Sequence, residues 1–310
     1  MKVLFVSSGN YTSGISPIIK KQGESLIKNG IEVAFFTVKG KGLLGYLKNI
    51  SKLRKAIKKH QPDVIHAHYS LCGFISTLSL TRRKIFVSLM GSDVLAQGIS
   101  RLFIRLFYKI SWTKCIVKTE GMKRQAGLKN VTVLPNGVDM EMFKPMSQEL
   151  AIKKLYWNPN NKHILFASNP SRPVKNFSLA ESAIEMIKKK YTNTELHVLK
   201  NVPHEKIPII MNACDCILLT SFWEGSPNVI KEAMACSRPI VSTKVGDVEE
   251  LFRDTTLSYV VPFNADEIAR YVFEIFSSDK RMTNGRENVS HLSEEKIADR
   301  LKTFYNNKIV

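Results

Sequence analysis

One stretch of the chain decides the fold class, and it reads Asp215-Cys216-Ile217-Leu218-Leu219-Thr220-Ser221-Phe222-Trp223-Glu224-Gly225-Ser226-Pro227-Asn228-Val229-Ile230-Lys231-Glu232-Ala233-Met234-Ala235-Cys236. Residues 216–220 form a short apolar run typical of a strand, and the turn after it is rich in Gly, Ser and Pro. A helix is predicted to begin at Asn228. Parallel α/β sheets are built from such strand–turn–helix units, and ligands bind at the turn.

The same alternation of strands and helices extends along the chain in both directions. We predict strands over residues 3–7, 31–38, 64–67, 84–88, 114–117, 131–134, 163–167, 195–199, 216–220 and 239–242, and helices over 15–29, 43–59, 177–190, 228–236, 265–277 and 293–305. Residues 139–160 are polar and are broken by Pro145 and Pro159, so we interpret them as a hinge. The pattern therefore predicts an α/β protein with two parallel-sheet domains.

Length and composition exclude several classes of protein. The chain has 310 residues, a length that favours two domains, and its 44% hydrophobic and 24% charged residues exclude a disordered chain or a small disulfide scaffold. No apolar run approaches the roughly 20 residues that cross a bilayer, and the N-terminus is expected to be a first strand rather than a signal peptide. Five cysteines, an odd number, favour a reducing compartment, and Cys214 and Cys216 are interpreted as packing residues rather than zinc ligands. We therefore expect a cytoplasmic protein.

The positive charge is concentrated in the first half of the chain. Of the formal net charge of +19, residues 1–145 carry +17, from 24 Lys/Arg and 7 Asp/Glu. This half should face a membrane surface, a nucleic acid or a polyanionic substrate, unless it is simply basic and soluble. Residues 43–59 and 101–109 pair apolar stripes with basic rows, a pattern that also fits ordinary core-facing helices. Anionic lipid is favoured over nucleic acid because no nucleic-acid recognition motif is present.

The quoted stretch carries two glutamates eight residues apart, Glu224 before the helix and Glu232 in its second turn. One carboxylate can bind hydroxyls near the turn and the other can bind a second polyol, while the amides at the start of the helix can hold a phosphate. A nucleotide sugar presents all three groups. The alternative is a pair of surface glutamates on a helix. A dinucleotide site is rejected, because Gly9 and Gly14 after the first strand do not have the G-x-G-x-x-G spacing.

The stretch from Glu224 to Glu232 resembles the signature of the retaining family 4 glycosyltransferases, the glycosyl transferases group 1, which have the GT-B fold. Other segments are similar to landmarks of that family: Lys28-Asn29-Gly30-Ile31-Glu32-Val33, Pro62-Asp63-Val64-Ile65-His66-Ala67-His68, Gly91-Ser92-Asp93 and Leu134-Pro135-Asn136-Gly137-Val138-Asp139. The resemblance implies two Rossmann-like parallel-sheet domains facing a cleft. Residues 1–145 would be the acceptor domain and 146–290 the nucleotide-sugar donor domain, and a C-terminal helix in 291–310 would pack back toward the first domain.

The resemblance also implies roles for individual residues. Glu224 would hold the transferred sugar, and Arg172 and Lys175 would stabilise the diphosphate leaving group without a metal or cofactor. The UDP- or GDP-sugar donor would be bound by Gly14, Gly225, Ser226, Pro227, Asn228, Val229 and Glu232. His68 and Asp93 are candidates on the acceptor side, whereas His66 is expected to pack in the core. Met90 stands where the family often has a histidine, so no catalytic histidine is assigned.

The activity implied by the resemblance is transfer of a sugar, with retention of anomeric configuration, to a glycan or lipid-linked acceptor in cell-surface polysaccharide assembly. The enzyme would be cytoplasmic and peripheral at the inner face of the plasma membrane, with no nucleic-acid partner. Two alternatives stay open: a non-catalytic binding protein on the same fold, and a GT-B epimerase or phosphorylase.

Overall fold

The computed structural model describes residues 1–10, 14–95 and 98–309, with side chains to residue 307. Within it the chain forms two compact units. The first unit comprises Met1–Gly137 and the C-terminal segment that starts at Glu294, and the second unit is Val138–Ser293. Each unit is built around one parallel sheet, as the repeated βα order predicts.

The first unit contains a six-stranded parallel sheet of order β2-β1-β3-β4-β5-β6. Its strands are β1 (Lys2–Ser8), β2 (Glu32–Val38), β3 (Val64–His68), β4 (Lys84–Ser88), β5 (Trp112–Val117) and β6 (Thr132–Val133). The central strands are largely buried because helices cover both faces. β3, for example, is buried at all five positions, although two of them are His66 and His68.

The helices of the first part of the chain are α1 (Pro17–Lys28), α2 (Gly42–Leu47), α3 (Ile50–His60), α4 (Ser70–Leu78), α5 (Ile99–Ile110) and α6 (Glu120–Ala126). The prediction of one helix over residues 43–59 is wrong, because α2 and α3 are separate. The Asn49 side chain donates hydrogen bonds from Nδ2 to the carbonyls of Lys39 (2.9 Å) and Gly45 (2.8 Å). Such side-chain bonds to the backbone compete with helical ones and mark the break.

The second unit contains a five-stranded parallel sheet of order β11-β10-β9-β7-β8. Its strands are β7 (Lys162–Phe166), β8 (Thr194–Val198), β9 (Cys216–Leu219), β10 (Ile240–Thr243) and β11 (Ser258–Val261). The helices are α7 (Gln148–Leu155), α8 (Phe177–Lys190), α9 (Ile207–Ala213), α10 (Asn228–Ala235), α11 (Val248–Leu251), α12 (Ala265–Ser277) and α13 (Gly285–Val289). Since β9 lies beside β7, the loops that follow these two strands meet at the same edge of the sheet.

The division between the units falls at Gly137 rather than at residue 145. Residues 138–145 belong to the second unit, because side chains of that unit donate hydrogen bonds to the backbone carbonyls of this segment. Arg286 donates to the carbonyls of Phe143 and Met140, both at 2.8 Å, and Asn212 donates to that of Lys144 at 3.0 Å. The predicted hinge over 139–160 also contains α7, which is capped by Ser147.

The C-terminal helix α14 (Glu294–Ile309) packs on the first unit. Tyr305 is fully buried, and its hydroxyl lies 2.5 Å from Nδ1 of His66 in β3. The ring of Phe86 in β4 contacts the rings of both Phe304 and Tyr305. Gly137 lies so close to the start of α14 that an added Cβ would be 2.6 Å from the Cα of Glu294.

All five cysteines are buried and none forms a disulfide. Among the described residues, no helix is both long enough and apolar enough to cross a membrane.

Candidate active site

The turn between β9 and α10 is bound to the loop that follows β7. Thr220, directly after β9, donates from Oγ1 toward the carbonyls of Lys175 and Asn176, at 3.1 and 2.9 Å. The amide of Phe222 donates to the carbonyl of Val174 at 2.9 Å. These bonds join two loops at the carboxyl edge of the sheet, the edge at which open α/β folds bind ligands.

Lys175 and Glu224 form an ion pair at this junction. Lys175 Nζ lies 2.5 Å from Glu224 Oε1, and the Ser221 hydroxyl donates to the same oxygen at 2.7 Å. The side chains of the pair are only 10% and 16% exposed, so solvent screens their attraction weakly. The structure thus brings together two of the three residues expected to be catalytic. Both bonds fix the orientation of the Glu224 carboxylate through a single oxygen.

Arg172 lies in the same loop, but its side chain is exposed. Its carbonyl accepts a hydrogen bond from the Lys175 amide at 2.9 Å, within a short 3₁₀ turn over Pro173–Lys175. Within the described part of the chain its guanidinium forms no ion pair. Arg172 is therefore placed beside Lys175 by the backbone, and its role in binding diphosphate stays a prediction.

A second turn packs against the start of α10. Gly246 has a φ of +57°, and an added Cβ there would lie 2.8 Å from the carbonyl oxygen of Gly225 and 3.1 Å from Cδ of Pro227. A side chain at position 246 would therefore clash with the backbone of the predicted donor loop. Ser226 donates from Oγ to Oδ2 of Asp247 at 2.7 Å. Asn228 and Val229 are the first residues of α10, where helix amides favour an anion.

Sequence reasoning missed two charged residues behind this turn, Lys231 and Asp247. Lys231 is fully buried in α10, and burial lowers its pKa against the opposing effect of the Asp247 and Glu232 carboxylates. Burial raises the pKa of Asp247, while the Lys231 charge and the Ser226 hydroxyl lower it. No pattern of neighbouring positions marked the contact of Asp247 with Ser226, because the two residues come from different loops. The two side chains set the electrostatic environment of the α10 N-terminus.

Glu232 lies at a separate position on α10, with a side chain that is 15% exposed. Its Oε1 is 3.7 Å from Nε2 of His204, whose ring meets that of Phe143 edge-on at 5.5 Å between centroids. Glu224 is engaged by Lys175 and Ser221 instead. The two glutamates of the motif thus have different neighbours, which suits them to bind different groups of one ligand. The spacing of the motif did not reveal His204.

The candidates from the first unit have mainly structural contacts. Asp93 accepts bonds from the amides of Ser70 (3.0 Å), Met90 (2.8 Å) and Gly91 (3.0 Å), and so holds the loop after β4. Burial raises its pKa, while the backbone bonds lower it. Gly14 has a φ of +78° with no atom within 4 Å of an added Cβ, so its backbone conformation requires the glycine. The expected acceptor and donor roles of these residues stay predictions.

His68 is buried and stacks on His66, with ring centroids 4.3 Å apart. Burial lowers the pKa of His66 to about 3 and that of His68 well below its usual value, so both rings are neutral at pH 7. His66 binds Tyr305 and, through Nε2, the Ser88 hydroxyl at 2.8 Å. His66 is a core residue with satisfied ring nitrogens. Nε2 of His68 makes no hydrogen bond to any described residue.

Two parallel-sheet α/β domains with this site at the carboxyl edge of the second sheet define the GT-B fold. Solved structures match over nearly the whole chain. Sucrose-phosphate synthase from Thermosynechococcus elongatus has a TM-score of 0.81 at 16% identity, covering 99% of this chain and 98% of that one. HepE of Anabaena, solved in complex with UDP and glucose, has a TM-score of 0.78 at 17% identity, covering 99% of both chains. At these identities the likeness shows the fold.

The chain belongs to the glycosyl transferases group 1. The model of that family matches residues 152–291, which include the Lys175–Glu224 pair and Glu232. A second model, glycosyl transferase 4-like, matches residues 15–115 in the first unit. Together the two matches cover most of both units, as the resemblance of the motifs predicted.

Two relatives illustrate the range of this family. A Bacillus subtilis protein named for teichuronic acid biosynthesis, the glycosyltransferase TuaC, is 26% identical over 249 residues, which cover 72% of this chain and 64% of that protein. The UDP-Gal:α-D-GlcNAc-diphosphoundecaprenol α-1,3-galactosyltransferase of Escherichia coli is 22% identical over 264 residues, covering 72% and 68%. The chain thus spans less than two thirds of the length of the first relative.

Proposed function

We propose that this chain transfers a hexose from a UDP- or GDP-sugar to a glycan or lipid-linked acceptor, with retention of anomeric configuration and without a metal ion or cofactor. The observation that carries the proposal is the Lys175–Glu224 pair beside the N-terminus of α10. It places a cation and a carboxylate at the edge of the sheet where ligands bind. Retention and the hexose are proposed from the family resemblance.

In the proposed reaction the bond between the sugar and the diphosphate breaks, and negative charge grows on the leaving diphosphate. The ammonium of Lys175, the guanidinium of Arg172 and the amides that begin α10 would stabilise that charge. These groups would neutralise the diphosphate without a metal ion. Glu224, held through Oε1 by Lys175 and Ser221, would accept bonds from sugar hydroxyls. Glu232 would bind the ribose.

The names of the relatives support a carbohydrate acceptor in envelope assembly. One is named for teichuronic acid biosynthesis, and the other for an acceptor linked to diphosphoundecaprenol, a lipid carrier. We propose the same class of acceptor for this chain, and hence a role in cell-surface polysaccharide assembly. A lipid-linked acceptor requires that the enzyme reach a membrane surface.

An exposed apolar stripe on α5 supports peripheral docking at an anionic membrane. The stripe consists of Ile99, Leu102, Phe103, Leu106 and Ile110, which are 44–73% exposed. These positions lie on one side of the helix at spacings of three and four residues. The basic residues Arg105 and Lys109 are exposed on the same helix. An apolar stripe flanked by cations suits binding in the headgroup region of an anionic cytoplasmic leaflet.

The proposal is tested by turnover of a panel of UDP- and GDP-sugars in the presence of EDTA, with undecaprenyl-diphosphate sugars as acceptors. We expect release of the nucleoside diphosphate, formation of a new glycosidic bond with the anomeric configuration of the donor, and full activity in EDTA. A strict requirement for a divalent ion would refute the metal-free mechanism. Binding of a nucleotide sugar without turnover would favour the non-catalytic alternative, and rearrangement of the donor itself would favour an epimerase.

A further inference from the structure

Two histidines and a glutamate converge on one side of the second sheet, outside the site described above. β7 and β8 are neighbouring parallel strands in which His163 pairs with Glu195. His197 lies two residues after Glu195 and therefore on the same face of β8. His163 Nδ1 is 3.0 Å from His197 Nε2, and both atoms are 3.7 Å from Oε2 of Glu195. Three potential metal-ligand atoms thus form a compact triangle.

The size of this triangle fits a zinc ion. A point at its centre lies about 2.0 Å from each of the three atoms, and zinc binds histidine nitrogen and carboxylate oxygen at about 2.0–2.2 Å. Two imidazoles and one carboxylate are a donor set that zinc prefers, whereas calcium and magnesium prefer oxygen ligands. Three protein ligands leave the fourth position of a tetrahedron to a water molecule.

Neighbouring groups hold each ligand in a metal-binding orientation. His163 Nε2 lies 2.9 Å from the Asn158 carbonyl, so Nε2 carries the proton and Nδ1 presents its lone pair. The Trp157 ring stacks on His197, with centroids 3.5 Å apart and an interplanar angle of 4°. The Asn161 side chain donates to Oε1 of Glu195, which directs Oε2 toward the imidazoles. Metal sites in proteins are characteristically supported by such outer contacts.

The cluster is accessible from solvent on one side. His163 is fully buried, but the side chains of His197 and Glu195 are 19% and 41% exposed, and β8 is the edge strand of the sheet. His163 is the second residue of β7, whereas Lys175 follows the carboxyl end of that strand. A metal here would join the edge strand to β7 without touching the Lys175–Glu224 pair.

We propose that His163, His197 and Glu195 form a zinc site that stabilises the edge of the second sheet. The site is independent of the proposed transfer reaction, which uses no metal. The competing explanation of the 3.0 Å contact is a hydrogen bond from His197 Nε2 to His163 Nδ1. The two explanations differ in whether the protein takes up zinc.

The test uses the full chain without a polyhistidine tag, stripped with EDTA, dialysed and titrated with ZnCl₂. We expect one zinc per chain by elemental analysis, a dissociation constant in the micromolar range or tighter, and a rise in Tm of several degrees with excess zinc. Co²⁺ should give the visible absorption of a tetrahedral site. EDTA should abolish the Tm shift and leave any transferase activity unchanged, so that failure of this proposal and failure of the proposed function are separable.

Matched variants locate the site. His197→Gln and Glu195→Gln, at the partly exposed positions, should each weaken zinc binding at least tenfold while circular dichroism shows a folded chain. His291→Gln is the control, because His291 is exposed in the same unit and its Nδ1 lies 2.8 Å from the Asn288 carbonyl, away from the cluster. A zinc concentration of about 100 µM is well above the expected dissociation constant, so it should fill the site. No zinc uptake at that concentration would overturn the proposal in favour of the hydrogen bond. Equal uptake by the wild type and both cluster variants would overturn it as well.

Discussion

Nζ of Lys175 lies 2.5 Å from Oε1 of Glu224, although the two residues are 49 positions apart in the chain. The family resemblance implies that Lys175 binds the diphosphate and that Glu224 binds the sugar. Their contact couples the two roles, because the cation that would neutralise the leaving group also orients the carboxylate that would hold the sugar. Substitutions at this pair should therefore affect turnover more than they affect nucleotide binding.

Glu232→Gln should weaken the binding of free UDP or GDP by about tenfold or more, because a hydrogen bond to a charged group contributes about 1.5–3 kcal/mol. Isothermal titration calorimetry measures the change. Glu224→Gln should change the dissociation constant for free UDP or GDP by no more than a few-fold relative to the wild type, and should lower turnover instead. Glu185→Gln, at an exposed position of α8, is the control. Equal loss of nucleotide binding in the Glu224 and Glu232 variants would show that the two glutamates do not divide the ligand.

Arg172→Ala and Lys175→Ala should each lower kcat by about 10²-fold, because charge on the diphosphate rises in the transition state. Lys175→Ala should cost more, since it also leaves the partly buried Glu224 without its cation. Steady-state kinetics at saturating donor measures both effects. Lys188→Ala, an exposed residue in the last turn of α8, should have wild-type kinetics. A change confined to KM would contradict the role in the transition state.

Replacing Leu102, Leu106 and Ile110 of α5 by Ser should lower binding to phosphatidylglycerol vesicles at low salt by at least tenfold, because it removes the apolar part of the interaction. Reversal of Lys52, Lys55, Lys58 and Lys59 to Glu should do the same, since each basic residue contributes about 1 kcal/mol near an anionic surface. Vesicle sedimentation measures the effect, and high salt should weaken wild-type binding.

Reversal of Lys188, Lys189 and Lys190 in the second unit is the control for this charge change, and both first-unit variants should keep their nucleotide affinity. If the wild-type protein does not bind anionic vesicles at low salt, the basic surface is an ordinary solvent-exposed surface and not a membrane-binding one.

Tyr305→Phe should destabilise the first unit by about 1–3 kcal/mol, because it leaves Nδ1 of the buried His66 without its hydrogen-bond partner. Urea denaturation followed by Trp112 fluorescence, in a Trp157→Phe/Trp223→Phe background, reports on that unit. Tyr156→Phe is the control, because Tyr156 is 96% exposed. An unchanged urea midpoint would mean that α14 is held without this bond.

The first unit should lose stability as the pH falls below about 6.5, the value for a histidine in an unfolded chain. Burial lowers the pKa of His68 in the folded state, and electrostatic interactions with His66 and Lys118 lower it further. The unfolded chain therefore binds more protons below pH 6.5, and the free energy of unfolding falls by up to about 1.4 kcal/mol per pH unit for each such ring. His68→Gln should remove the contribution of one histidine to this pH dependence, so that the free energy of unfolding falls less steeply between pH 6.5 and 5.0. If the free energy of unfolding had the same pH dependence in the variant and the wild type, the lowered pKa of His68 would be contradicted.

Much of the fold follows from local pattern. The sequence predicted ten of the strands, and its helices over 177–190 and 265–277 coincide with α8 and α12. β11 was missed, because its four residues lie in a segment with no clear alternation. The helix predicted over 43–59 was wrong because the Asn49 side chain bonds the carbonyls of Lys39 and Gly45 and interrupts the helix, although the apolar stripe continues through this position.

The candidate site was predictable only where its residues are close in sequence. The turn from Glu224 to Glu232 was recognised because strand, turn and helix follow one another there. His204, which lies beside Glu232, and Asp247, which binds Ser226, come from other loops and carry no local signal of these contacts. His163 and His197 likewise lie 34 residues apart, so their spacing did not suggest a metal site.

The sequence by itself determined that this protein consists of alternating strands and helices in parallel sheets, and that one strand-to-helix turn carries a glycosyltransferase signature. Hydrophobic periodicity and turn residues are properties of neighbouring positions, so they can be read without a structure. Only the tertiary structure decided that β9 lies between β7 and β10 and that Lys175 meets Glu224. Strand order is set by the packing of whole elements against each other, and it decides which distant loops share a site.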